Sequence, residues 1–99
     1  MLYKGMAEFL YSAWFVDDAA LPEDQDREWV ACILIDADCA DAAKSWGDSL
    51  AQDRATHNPS ERFLLSSIED KTSLPEATDL LNVPRIEAGL PVSNEEIGW

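Results

Sequence analysis

Two cysteines and one histidine, Cys32, Cys39 and His57, are the side chains of this 99-residue sequence best equipped for metal binding or nucleophilic chemistry. Their spacing argues against both. Structural zinc needs four ligands that arrive in close pairs, whereas Cys32, Cys39 and His57 offer three that are widely spread. Cys39 falls at the expected helix start, but Asp36, Asp38 and Asp41 surround it with negative charge that works against a thiolate nucleophile. His57 falls near a helix C-terminus, where it complements the dipole, and no Ser or Cys is spaced to meet it as a base. The run Asp24-Gln25-Asp26-Arg27-Glu28 alternates carboxylates as a calcium loop does. It lacks the sixth-position glycine and the twelfth-position bidentate Glu of an EF-hand, and Arg27 intrudes. The four glycines, Gly5, Gly47, Gly89 and Gly98, are isolated, so no phosphate-cradling loop exists. The expectation is a chain with no catalytic residues, metal or cofactor, and two small, packed, free thiols.

Charge carries the functional information. Twenty Asp and Glu oppose seven Lys and Arg, a net charge of −13, yet 46% of the residues are hydrophobic and four are Trp. Disordered acidic chains are poor in aromatics; this one joins a compact core to a negative surface. Such a field repels nucleic acid and anionic membrane and attracts basic partners, and it also serves solubility. Mimicry of DNA is a poor fit for the helix alone. Asp41 and Asp48 stand roughly 10 Å apart along it, with Lys44 between them, against one DNA charge per about 1.7 Å.

These residues need elements to hold them. Ala7–Val16 reads as a strand with Phe9, Tyr11, Ala13 and Phe15 on one face and Leu10, Ser12, Trp14 and Val16 on the other. Residues 17–28 form a long connection in which Asp17, Asp18, Glu23, Asp24, Asp26 and Glu28 oppose Arg27 alone. Trp29–Asp36 is a near-continuous apolar strand, suited to a central position. A helix follows with Asp38 as N-cap and Asp41 completing a box-like cap. Ala43, Trp46 and Leu50 form its apolar stripe; Asp41, Lys44, Asp48 and Gln52 form its opposite face. It ends near His57, ahead of Pro59, and Gly47 within it admits the approach of another backbone. Glu61–Glu69 is a third strand, with Phe63 and Leu65 facing one way and Leu64 and Ile68 the other. Ser73-Leu74-Pro75-Glu76 opens a short helix through about Leu81, and an extended tail follows. Trp14, Trp29 and Trp46 are expected in the core. Trp99, after Glu95-Glu96, is either a docking motif or a pin for the tail.

The expected fold is α+β: a small antiparallel sheet of about three to four strands with one main helix packed on one face through a right-handed crossover. The element order resembles part of a ferredoxin-like layout. Residues 1–70 make the core domain, and 71–99 an appendage that packs on the core or on a partner. No signal peptide or bilayer-length apolar run is present, so a cytoplasmic location is expected. The functional expectation is a non-enzymatic module that regulates or neutralises a basic partner protein, with contact residues Asp17, Asp18, Glu23, Asp24 and Asp26 and a second patch at Asp41 and Asp48. The alternative is a homodimeric α+β ligand-binding protein or small enzyme with its pocket at the dimer interface, drawing on Ser12, Ser66 or His57.

Overall fold

Alternating aromatic and β-branched residues in the first half of the chain become a twisted sheet, and the alanine-rich stretch between its strands becomes the helix that covers it. The structure, a computed structural model, describes residues 7–18, 28–75, 80, 82–93 and 95–99. The elements are β1 (Ala7–Asp17), β2 (Glu28–Ala37), α1 (Ala40–His57), β3 (Glu61–Asp70) and β4 (Arg85–Glu87), with a 3-10 turn at Lys71–Ser73. The four-stranded sheet has the order β3-β1-β2-β4.

β1 is the central antiparallel partner of both long neighbours. It pairs with β2 from Ala7↔Ala37 to Val16↔Glu28, and with β3 from Phe9↔Asp70 to Asp17↔Glu61. β2 and β3 therefore run the same way with β1 between them, and α1 carries the chain across. This crossover passes over one intervening strand. The sheet is mixed, not purely antiparallel, because β4 lies parallel to β2 through Leu34↔Arg85, Ile35↔Ile86 and Asp36↔Glu87. The short helix expected from Ser73 falls largely on residues outside those described. At its start the chain instead makes the 3-10 turn, with the Asp70 carboxylate accepting from the Thr72 N–H, and then extends at Leu74.

The face of the sheet beneath α1 is the core: Phe9, Tyr11, Ala13 and Phe15 from β1, Ala31, Ile33, Ile35 and Ala37 from β2, and Ala43, Leu50 and Ala51 from α1. Burying each of the larger side chains contributes about 1.5–3 kcal/mol. The tail completes this core. Ile97 is only 3% exposed, and the Trp99 ring lies 6.3 Å from Tyr11 and 6.1 Å from Phe15. Trp99 is thus a pin. Trp29 stacks on Phe15 at 4.7 Å, and Trp46 packs at the core's margin.

Three local readings are corrected. The helix N-cap is Cys39 with no side-chain cap hydrogen bond, one residue beyond Asp38, and Cys39 is exposed rather than packed. Gly47 faces the Tyr11 ring, not a backbone. In β3 the pairing shifts between Trp14↔Leu65 and Phe15↔Phe63, so Leu64 is an extra residue. That β-bulge breaks the two-residue alternation. It places Phe63 with Ile68 on the α1 side, while Leu65 goes to the opposite face.

Candidate functional site

The face of the sheet away from α1 has no helix on it among the described residues. β1 sets out Leu10, Ser12, Trp14 and Val16 on this face because strand side chains alternate. Its pairing partners align them in rows. The most apolar row is Val30–Trp14–Leu65, in which Trp14 is the cross-strand partner of both neighbours. Val30 is 48% and Leu65 56% exposed, Trp14 is half-buried, and the bulge residue Leu64 is also exposed. Val16 and Leu34, on the same face, are buried. A shallow hollow lined by Trp14, Glu28, Trp29 and Val30 opens beside the row.

The next row toward the sheet's end is Glu28–Val16–Arg62. β1 finishes at Asp17 and β2 begins at Glu28, so the strand ends that the acidic stretch joins in sequence lie one row beyond Trp14 and Val30. Asp18 is exposed and accepts two hydrogen bonds from the Arg62 guanidinium, at 2.6 and 3.1 Å. The Asp18 N–H donates to the Ser60 carbonyl at 2.6 Å. Glu23, Asp24 and Asp26 lie outside the described residues.

Asp41 and Asp48 do not join this surface. Asp41 sits exposed in the first turn of α1, at the end of the sheet opposite Asp17 and Asp18. The helix between them is 18 residues long, or roughly 27 Å. Asp48 is turned inward on the shoulder of the helix. Tyr11 Oη–H donates to its Oδ1 at 2.7 Å, Ser66 Oγ–H to the same oxygen at 2.5 Å, and Lys44 Nζ to its Oδ2 at 3.1 Å. Burial would raise the Asp48 carboxyl, but the bonds from Ser66, Tyr11 and Lys44 and the Lys44 charge outweigh it and hold the group below its ordinary value. The Tyr11 phenol is pushed well above its usual range, first by burial and then by its bond to Asp48. This carboxylate knots α1 to β1 and β3. Sequence reasoning missed the knot, because residues 11, 48 and 66 carry no local sign of meeting.

The lysines and arginines among the described residues are committed. Lys44 pairs with Asp48, Arg54 with Glu61, Arg62 with Asp18, and both Lys71 and Arg85 with Glu8. Arg54 also lies over the Trp29 ring at 4.8 Å and over Phe15 at 5.7 Å. The remaining two of the seven Lys and Arg, Lys4 and Arg27, lie outside the described residues. Among the described residues no cluster of three His, Cys, Asp or Glu could hold a metal ion. No described helix is long and apolar enough to cross a membrane.

The Val30–Trp14–Leu65 row was also missed. The signal was present: β1 and β2 are apolar on both faces, while the sequence supplies one main helix to cover them. Comparison of the chain with family models, with curated proteins and with solved structures found no match in any of the three.

Proposed function

We propose that this protein is a non-enzymatic binding module for a basic partner protein, and that the contact surface is the sheet face carrying Val30, Trp14 and Leu65 together with the acidic connection at its end. The observation that carries the reading is the juxtaposition itself. An exposed cross-strand row of two aliphatic side chains and a tryptophan lies near the strand ends Asp17 and Glu28, which bound in sequence a twelve-residue stretch holding six acids and one Arg. Exposed apolar patches rimmed by polar residues mark protein contact sites. Aromatic anchors supply affinity, and charge supplies rate and partner choice. Each described cation already has an acidic partner, so the surplus that a partner meets is negative. The free thiols Cys32 and Cys39 suit a reducing compartment, and the reading places the protein in the cytoplasm.

The test is capture of proteins from the source-cell lysate by the immobilised chain at low and then high salt. The wild type is compared with Val30→Thr/Leu65→Thr and with Glu23→Gln/Asp24→Asn/Asp26→Asn. The expected result is a basic protein held at low salt, released at high salt, lost from the first variant and bound more slowly by the second. Retention of the same protein by both variants, or of no basic protein at all, defeats the proposal.

The homodimeric ligand-binding alternative draws on one observation, the convergence of Tyr11 and Ser66 on Asp48. Both hydroxyls already spend their protons on that carboxylate, which makes the cluster a structural tie in preference to a ligand site.

A further inference from the structure

β3 is an edge strand of ten residues, paired on one side by β1 and, among the described residues, by nothing on the other. Edge strands normally carry a device against pairing, such as proline, lysine or short length. Glu61–Asp70 contains no proline and no lysine, and Leu64 and Leu65 on it are exposed. The devices present are charges at its two ends, Glu61 and Arg62 with Glu69 and Asp70, and a bulge, which sets the register that a second strand must follow.

We propose that the outer edge of β3 pairs antiparallel with β3 of a second copy of this chain, about a two-fold axis at Ser66. Applied to the new edge, the bulge that seats β1 leaves Leu64 unpaired. Ser66 then meets its own counterpart, Leu65 meets Ser67, Phe63 meets Ile68, and Arg62 meets Glu69. The assignment is consistent on both faces. Phe63 and Ile68 lie on the α1 side and make an apolar cross-strand pair. Arg62 and Glu69 lie on the opposite side and make an ion pair, repeated by the symmetry. Arg62 spends Nε and Nη2 on Asp18, and a guanidinium has five donor hydrogens, so it can serve both carboxylates. Glu61 with Asp70 is the like-charged pair, also repeated by the symmetry, and Glu61 is neutralised by Arg54 at 2.8 Å. A hollow lined by Gln52, Ala55, Thr56 and Phe63 opens between α1 and this edge, where the facing Ile68 would enter. The two-fold stands perpendicular to the sheet, so both Val30–Trp14–Leu65 rows face the same side of an eight-stranded sheet.

The proposal is independent of the partner reading, and salt separates them. Binding a basic partner weakens as salt rises. Self-pairing of two chains of net charge −13 strengthens, because screening relieves their repulsion. Sedimentation of the full chain should show a monomer–dimer equilibrium that favours dimer as salt rises from about 20 mM to about 500 mM. Glu69→Arg removes negative charge overall yet sets Arg against Arg twice, and should weaken the dimer about tenfold. Arg62→Glu/Glu69→Arg keeps the net charge and swaps the pairs at the cost of the exposed Arg62–Asp18 bonds, and should dimerise more tightly than Glu69→Arg alone. On the wild type itself, amide exchange in Glu61–Asp70 should slow as protein concentration rises. A chain monomeric at about millimolar concentration in high salt overturns the proposal. So does a dimer that Glu69→Arg leaves unchanged or tightens, a double variant as weak as the single, or exchange in β3 that ignores concentration.

Discussion

The ring of Tyr11 occupies the space that a side chain at position 47 would need: a Cβ built on Gly47 stands 2.5 Å from the Cδ1 and Cε1 atoms of that ring. Helix and sheet meet closely here because position 47 has no side chain, and the same ring carries the hydroxyl that bonds Asp48. Gly47→Ala should therefore destabilise the protein by about 1–3 kcal/mol through overpacking, although alanine alone favours a helix by about 1 kcal/mol. Urea unfolding measures the balance, and equal stability of the two proteins would show that the ring is free to move aside.

The Asp48 carboxyl is held below its ordinary value, near 3.8, in the folded chain. The unfolded chain then binds the proton first as pH falls, so the stabilisation is complete above that ordinary value and is lost on acidification through the folded one. The stability difference between wild type and Asp48→Asn should be widest near neutrality and close below about pH 4. A gap that stays constant down to acid unfolding would mean that the Asp48 charge is not what its neighbours stabilise.

Tyr11 carries the opposite sign. Its phenol is raised in the fold from an ordinary value of 10.0, so its contribution is complete below pH 10 and is lost as pH rises beyond it. Tyr11→Phe should cost about 1–3 kcal/mol near neutrality, because Asp48 loses a donor, and the difference should shrink in strong alkali. Thermal melts across the alkaline range check this.

Ile97 lies in the same core as Tyr11 and Phe15 although it is two residues from the last. Ile97→Ala should cost about 2–5 kcal/mol, a core-sized effect from a tail position. A loss under about 0.5 kcal/mol, typical of surface sites, would show that the tail is dispensable.

Val30→Thr/Leu65→Thr should fold with stability within about 0.5 kcal/mol of wild type, since both side chains are largely exposed and threonine suits strands. Binding of a hydrophobic dye should fall. A large loss of stability would place these side chains in a core instead of on an open face.

Strand and helix identities were legible because each is written locally. Period-two alternation marks Ala7–Val16, a β-branched run marks Trp29–Asp36, and Ala43, Trp46 and Leu50 recur at helical spacing ahead of Pro59. The observed elements match these spans to within about two residues, the usual slack at element ends. The bulge at Leu64 was not legible, since a single extra residue in a strand has no composition of its own. It alone reversed the face assigned to Leu65 and so made that residue part of the exposed row.

Composition and local pattern thus determined the α+β class, the long helix and the surplus of negative charge. They are properties of neighbours in sequence, and the physics that reads them acts over a few residues. Tertiary structure alone decided that Asp48 turns inward to Tyr11 and Ser66 while Asp41 stays exposed. It also decided that Trp99 pins the tail and that Val30, Trp14 and Leu65 share a row. Each of those outcomes depends on strand register and on which face α1 covers, and register joins residues that lie tens of positions apart in the chain.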